Sequence, residues 1–212
     1  MKRILLASIL FSSPILAQLN LTVQAGLDAP VPSVVNSIDS PFFEDTWTSG
    51  IAASLGADYP VAHNILVAPS IQFAYYPFNQ YIGRKSAIPE DPPAISSTGK
   101  GTTALRFMLD GRLLASRNFA GTNTEFNLTT GVGYTVQHSG RIHAIFGFGS
   151  VPAFERDLGD ITSSYWVHSL GITTRTNIVQ PFSLDFSAEY ITDYTNNFTV
   201  GLTVGIAYAI LQ

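Results

Sequence analysis

The segment from Phe198 to Leu211 alternates between large and small side chains. The large ones are Phe198, Val200, Leu202, Val204, Ile206, Tyr208 and Ile210, and between them lie Thr199, Gly201, Thr203, Gly205, Ala207 and Ala209. A period of two is that of a β-strand, because successive side chains of a strand point to opposite faces. Neither face carries a charged residue, whereas a strand at the surface of a soluble protein would expose Lys, Glu or Arg. The segment therefore predicts a strand whose large side chains face an apolar phase.

Such a strand has the pattern of a membrane-spanning β-barrel, with lipid outside and small or polar side chains inside. Phe198 and Tyr208 are ten residues apart, or roughly 33 Å of strand at ~3.3 Å per residue. A tilt of ~40° brings this to about 25 Å, the height of the lipid-facing band. Because an open sheet edge cannot exist in lipid, the rest of the chain must supply strands that close the barrel.

The N-terminal segment predicts export. Lys2 and Arg3 precede an apolar run, a Pro14 and a cleavage site expected after Ala17, which is the pattern of a secretory signal peptide. We therefore expect two parts, a signal peptide at 1–17 and one barrel domain at 18–212. The chain has no cysteine, so neither lipoprotein modification nor a disulfide is expected.

Composition agrees with a barrel and excludes other classes. Charged residues make up 12% of the chain, about half the ~25% of a soluble domain. After residue 17 no run of 18 apolar residues occurs, so no transmembrane helix is predicted. Loss of Lys2 and Arg3 leaves nine basic and 15 acidic residues, a net charge of −6 instead of −4. This charge argues against nucleic acid as a partner.

Alternation predicts an all-β, antiparallel up-and-down barrel of eight strands. The segments are Leu19 to Asp28, Ile51 to Tyr59, Val67 to Tyr76, Thr102 to Ser116, Glu125 to Val136, Thr162 to Thr176, Phe182 to Tyr190, and Phe198 to Leu211. Residues 141–150 also alternate; we interpret them as part of a loop above the membrane, with ten strands as the alternative. Long loops at 30–47, 78–101 and 138–161 face short turns at the other rim, which predicts periplasmic termini.

The parity of these strands directs seven charged residues into the lumen: Arg106, Asp110, Arg112, Glu125, Arg175, Asp185 and Glu189. A barrel of about eight strands is just filled by its side chains, so these charges must form ion pairs. Across the short turns we expect Arg112 to pair with Glu125 and Arg175 to lie near Asp185. The interpretation is a structural plug, and the alternative is a gate or narrow ion path.

Aromatic residues predict two girdles at the membrane interfaces. One contains Tyr75, Trp166, Tyr190 and Phe198, and the other Tyr59, Phe126, Phe182 and Tyr208. We predict no metal site and no cofactor. His168 and Ser169 are the obvious nucleophile–base pair, but adjacent strand residues point to opposite faces, so no enzymatic activity is predicted.

With Thr130-Gly131-Val132-Gly133-Tyr134 and the alternation from Val200 to Tyr208, the chain resembles the small bacterial outer-membrane β-barrel proteins, such as the OmpA and OmpX barrels. The resemblance implies a monomer in the outer membrane of a Gram-negative bacterium, with membrane lipids as partners. It implies recognition of the last strand by the barrel-assembly machinery, with Tyr208 in place of a terminal Phe. The function expected is structural, or binding and adhesion of an unidentified extracellular ligand through the long loops. Alternatives are a narrow pore, a soluble lipocalin-like carrier and a lipid-modifying enzyme.

Overall fold

A computed structural model of the protein describes residues 19–31, 49–78, 94–148, 151–193 and 198–210. The predicted signal peptide at 1–17 lies outside these residues, as does most of the predicted loop at 30–47. No helix within the described ranges has the length and apolar character needed to cross a membrane.

The described residues form eleven strands. They are β1 (Leu19–Val31), β2 (Gly50–Ala62), β3 (Ile65–Tyr76), β4 (Ala94–Gly99), β5 (Thr102–Ser116), β6 (Thr124–Ser139), β7 (Ile142–Phe148), β8 (Val151–Leu158), β9 (Ile161–Val179), β10 (Phe182–Asp193) and β11 (Phe198–Ile210). Eight of them form a closed barrel in the order β1-β11-β10-β9-β6-β5-β3-β2. The prediction of an eight-stranded antiparallel barrel is confirmed.

The C-terminal strand closes the barrel against the N-terminal one. β11 pairs with β1 along its whole length, from Phe198 opposite Val31 to Ile210 opposite Leu19. On its other side β11 pairs with β10, where Tyr208 lies opposite Phe182. Each barrel strand thus has two partners, which satisfies the backbone groups that a membrane cannot.

The barrel wall is apolar outside and charged inside. Leu202 and Phe186 are 56% and 51% exposed, whereas Arg106 is only 5% exposed and Asp185 is fully buried. A lipocalin-like carrier would have the opposite orientation, with the large side chains around an internal ligand. These side chains point in the directions that the alternation of the sequence predicts.

The remaining three strands form a separate sheet, which we call the loop sheet, in the order β4-β7-β8. β4 lies between β3 and β5 in the chain, and the β7–β8 hairpin lies between β6 and β9. Residues 142–148 are therefore a strand, but one outside the barrel wall, and the ten-stranded alternative is wrong. We call the barrel end that carries this sheet the loop end.

The opposite end, which we call the turn end, carries the short connections at residues 63–64, 117–123 and 180–181. In the β5–β6 connection, Ala120 (φ 53°) and Gly121 (φ 75°) adopt the left-handed conformation, which reverses the chain tightly. The first and last described residues, Leu19 and Ile210, also lie at this end.

Candidate functional site

The turn end of the lumen contains a network of four charged side chains. Arg175 donates two hydrogen bonds to Asp185, at 2.7 and 2.6 Å, and one to Asp58 at 2.6 Å. Arg112 donates to the other oxygen of Asp58 at 2.8 Å. Because β2 and β9 face each other across the eight-stranded ring, the Asp58–Arg175 bond spans the full width of the lumen. Two positive and two negative charges cancel within this network.

The predicted pair of Arg112 and Glu125 is wrong. In the β5–β6 ladder Arg112 lies opposite Thr129, four residues from Glu125, which is roughly 13 Å along a strand. The seven-residue connection and the register shift near Ser116 set this offset. Glu125 instead lies opposite Arg175 on β9, near the turn end, and is half-buried.

A second charged cluster occupies the loop end of the lumen. Tyr76 donates a hydrogen bond of 2.8 Å to Asp28, and Arg106 donates to both Asp28 and the Tyr76 hydroxyl. The three residues come from β1, β3 and β5 and are at most 5% exposed. One positive and one negative charge again cancel.

Between the two clusters lies a middle layer of polar residues. Ser169 on β9 donates to Asp110 on β5 at 2.8 Å, and the bond passes over Gly131 on the intervening β6. A Cβ at Gly131 would stand 1.9 Å from the Asp110 oxygen, so only glycine leaves this space. In the same layer, Gln72 on β3 donates a hydrogen bond of 3.4 Å across the lumen to Glu189 on β10.

A cavity of about 20 Å³ remains in this middle layer, lined in part by Gln72, Asp110, Arg112 and Glu189. This volume holds about one water molecule. Small free space is expected where eight strands enclose a lumen just wide enough for their side chains.

Sequence reasoning missed Asp28 and Asp58, the two carboxylates that hold the clusters together. The signal was available, because both residues have inward parity on strands that were correctly predicted. Each is the one charged residue of its strand, so the sequence around it contains no oppositely charged residue that would indicate an ion pair. The predicted lumenal residues Arg106, Asp110, Arg112, Arg175 and Asp185 are all buried, and Glu189 is half-buried.

The predicted girdle residues lie on the outer surface near the two ends of the barrel. Tyr59, Phe126, Phe182 and Tyr208 lie at the turn end, and Tyr75, Trp166, Tyr190 and Phe198 at the loop end. Neighbouring rings are in contact: centroids of Phe182 and Tyr208 are 5.3 Å apart, as are those of Tyr190 and Phe198. Phe126 and Phe198 are half-buried, and the others are exposed.

The enzymatic alternative has no geometry to support it at His168 and Ser169. His168 is exposed on the outer wall, whereas Ser169 is buried in the lumen and donates to Asp110. The two side chains lie on opposite sides of the barrel wall and cannot act together. In the part of the chain that the structure describes, no cluster of three or more His, Asp or Glu residues could hold a metal ion.

The loop sheet has the polarity of a sheet in water. Ile142, Ala144 and Phe146 form its buried core, and the rings of Phe146 and Phe154 stack with their centroids 4.9 Å apart. Its other face carries polar groups, with His143 Nδ1 lying 3.0 Å from an Asp157 oxygen.

The electrostatics of Asp157 follow from its two neighbours. The hydrogen bond with His143 holds the pKa of the Asp157 carboxyl below its usual value, and Arg141 acts in the same direction. The Arg141 guanidinium lies 3.5 Å from Asp157, and both side chains are at least half exposed. This pair is therefore a weak surface interaction.

Comparison with solved structures identifies the fold. Neisserial surface protein A matches with a TM-score of 0.53 and 10% identity, over 91% of this chain and 97% of that one. Ail, the attachment invasion locus protein of Yersinia pestis, matches with 0.51 and 11%, over 92% and 99%. A major outer membrane protein from Thermus thermophilus matches with 0.54 and 11%, over 92% and 100%.

At these identities the similarity concerns the fold, and at that level the resemblance to small bacterial outer-membrane barrels is confirmed. No protein-family model matches the chain, and no curated protein matches it either.

Proposed function

We propose that this protein is an outer-membrane β-barrel with a closed lumen that presents the loop sheet and the loops at 30–47 and 78–101 as a binding surface outside the cell. The observation that carries the proposal is the reversed polarity of the barrel. Its exposed belt of Leu, Val, Ile and aromatic side chains is suited to contact with lipid acyl chains, because exposure of so much apolar surface to water is unfavourable. In barrels of this class the long connections face the outside and the termini face the periplasm.

The hydrogen bonds that cross the lumen favour a structural or binding role over transport. The Asp58–Arg175 bond crosses the lumen at the turn end, and the Gln72–Glu189 bond crosses its middle layer. A solute would have to break charge-assisted bonds in a low-dielectric interior, which are stronger than neutral ones. A closed barrel is therefore favoured over a narrow pore.

The loop sheet favours a surface role. β7 and β8 extend β6 and β9 into a hairpin with its own apolar core, which is more structure than a simple connection needs. Ail, which has a similar fold, is by name an attachment and invasion protein. We propose a comparable role at the cell surface for this chain.

Three measurements test the proposal. The protein should stay in washed membranes under carbonate or high salt and need detergent for extraction. Proteases added to whole cells should cut within residues 79–101 or 142–158 and leave the barrel intact. Purified protein should give no channel events in planar bilayers, whereas steady single-channel conductance would favour the pore, and release without detergent would exclude the membrane barrel.

A binding assay tests the surface role itself. Replacement of residues 143–157 by a short Gly-Ser turn should abolish attachment of cells that display the protein, while the barrel still folds. The matched control replaces the turn-end residues 117–123 in the same way, which should leave attachment unchanged. Equal attachment by both variants would contradict the role of the loop sheet.

A further inference from the structure

The β7–β8 hairpin ends in an exposed apolar cluster, the hairpin tip, formed by Phe148, Val151, Pro152 and Ala153. Phe148 lies opposite Val151 in the ladder. They are 70% and 68% exposed, more than any other large apolar side chain in the described residues. Pro152 and Ala153 beside them are exposed as well.

The hairpin tip belongs neither to the core of the loop sheet nor to the apolar belt of the barrel. The core of the loop sheet ends at Phe146, which is 1% exposed. Phe148 lies six residues from Ile142 at the base of the hairpin, which is roughly 20 Å along the strand. It is therefore well separated from the barrel belt along the chain. An exposed apolar cluster in water marks a surface that contacts another molecule or a membrane, so the hairpin tip calls for a partner.

We propose that the hairpin tip inserts into the zwitterionic outer leaflet of another cell's membrane. The inference rests on the proposed function, because it needs the loop sheet to face outward. It adds to that function the class of partner and the residues that touch it.

The size of the hairpin tip favours lipid over a protein partner. Its four side chains offer roughly 300–400 Å², since a whole aromatic side chain contributes about 150–250 Å². A stable protein interface needs about 800 Å² on each partner. A bilayer interface has no such requirement for shape or area, and aromatic and aliphatic side chains partition into it from short segments.

Charge favours a zwitterionic leaflet over an anionic one. The sequence has no charged residue between His143 and Glu155, so the hairpin tip itself brings no charge into the bilayer. Nearer the base, Glu155, Arg156 and Asp157 are exposed and would face the headgroups, and Arg141, which lies 3.5 Å from Asp157, balances their charge. Repulsion of anionic lipids would therefore come from the expected mature net charge of −6, not from the hairpin itself.

The test uses the full-length protein in nanodiscs and vesicles of pure phosphatidylcholine as the probe. Vesicle capture is measured by co-sedimentation, and it should fall about tenfold or more in a Phe148→Ser/Val151→Ser double variant, because the apolar area is lost. Ile161→Ser is the matched control. Ile161 is exposed and apolar, but it is the first residue of β9 and lies away from the hairpin tip. This variant should capture vesicles like the wild type. Vesicles with phosphatidylserine should be captured less, and salt should reduce the difference.

Each other outcome overturns the inference. Equal capture by the wild type and the double variant would show that the hairpin tip does not touch lipid. Attachment of cells through the loop sheet without capture of vesicles would remove the lipid partner and leave the proposed function standing. Pairing of nanodiscs through the hairpin tip in the absence of vesicles would identify a second copy of the chain as the occupant.

Discussion

The barrel and the loop sheet are two β-sheets in one chain with opposite polarity. In the barrel, Leu202 is 56% exposed and Asp185 is fully buried. In the loop sheet, Phe146 is buried and Asp157 is exposed. Both sheets are antiparallel and hydrogen-bonded in the same way.

The proposed membrane location accounts for the difference, because the surrounding phase, and not the backbone, then decides which side chains are hidden. A sheet in water hides apolar groups, because their burial is favourable by about 25 cal/mol per Å². A barrel in lipid gains nothing by hiding them and must instead pair its charges inside, where desolvation is costly. The same alternation of side chains thus has opposite meanings in the barrel wall and in the hairpin that extends β6 and β9.

The largest expected effect comes from a lumenal carboxylate. Asp58→Asn removes the negative charge shared by Arg112 and Arg175, and leaves buried positive charge without a full partner. We expect the free energy of unfolding to fall by about 3–5 kcal/mol, measured by urea unfolding in lipid vesicles. Glu155→Gln on the loop sheet is the matched control and should change it by no more than about 0.5 kcal/mol. Equal effects would contradict the contrast between the two sheets.

The next effect should be confined to the loop sheet. Phe146→Ala removes the most buried large apolar side chain of that sheet and its stacking on Phe154, at a cost of about 3 kcal/mol. Protease cleavage between residues 142 and 158 should therefore accelerate while the urea midpoint of the barrel stays the same. A parallel loss of barrel stability would show that the two sheets fold as one unit.

An effect of similar size tests the outer wall of the barrel. Leu202→Arg places a charge near the middle of β11 on the exposed belt, where lipid would oppose it by about 2–4 kcal/mol. The same change at exposed Thr98 in the loop sheet should be nearly neutral, because Thr98 lies outside the hairpin tip. If Leu202→Arg were as well tolerated as Thr98→Arg in vesicles, the belt would not face acyl chains.

The smallest effect concerns the surface carboxylate Asp157. Its pKa is lowered in the folded protein, so its interactions stabilise the loop sheet above the ordinary Asp value of about 3.9. This contribution is lost as the pH falls through the lowered pKa. An NMR titration of the carboxyl should give a midpoint below the ordinary value, and His143→Ala should raise it. An unchanged midpoint in His143→Ala would contradict the role of the hydrogen bond.

Alternation predicted the barrel strands well, and it predicted side-chain direction even for residues whose partners it missed. Asp58 has inward parity, yet its two arginine partners come from strands far away in the chain. Adjacent strands in sequence suggested Arg112 and Glu125 as a pair, and the register of β5 and β6 separates them. Parity is a local property of a strand, whereas the register depends on the length and conformation of each turn.

The amino-acid sequence by itself determined the class of structure. A period of two with apolar residues on one face and small or charged ones on the other can be satisfied only by strands between two phases of different polarity. Tertiary structure decided the rest: which charges meet across the lumen, that Gly131 leaves room for the bond between Asp110 and Ser169, and that β7 and β8 leave the wall to form a second sheet with β4. These outcomes depend on contacts between strands distant in sequence, and closure of the ring brings such strands together.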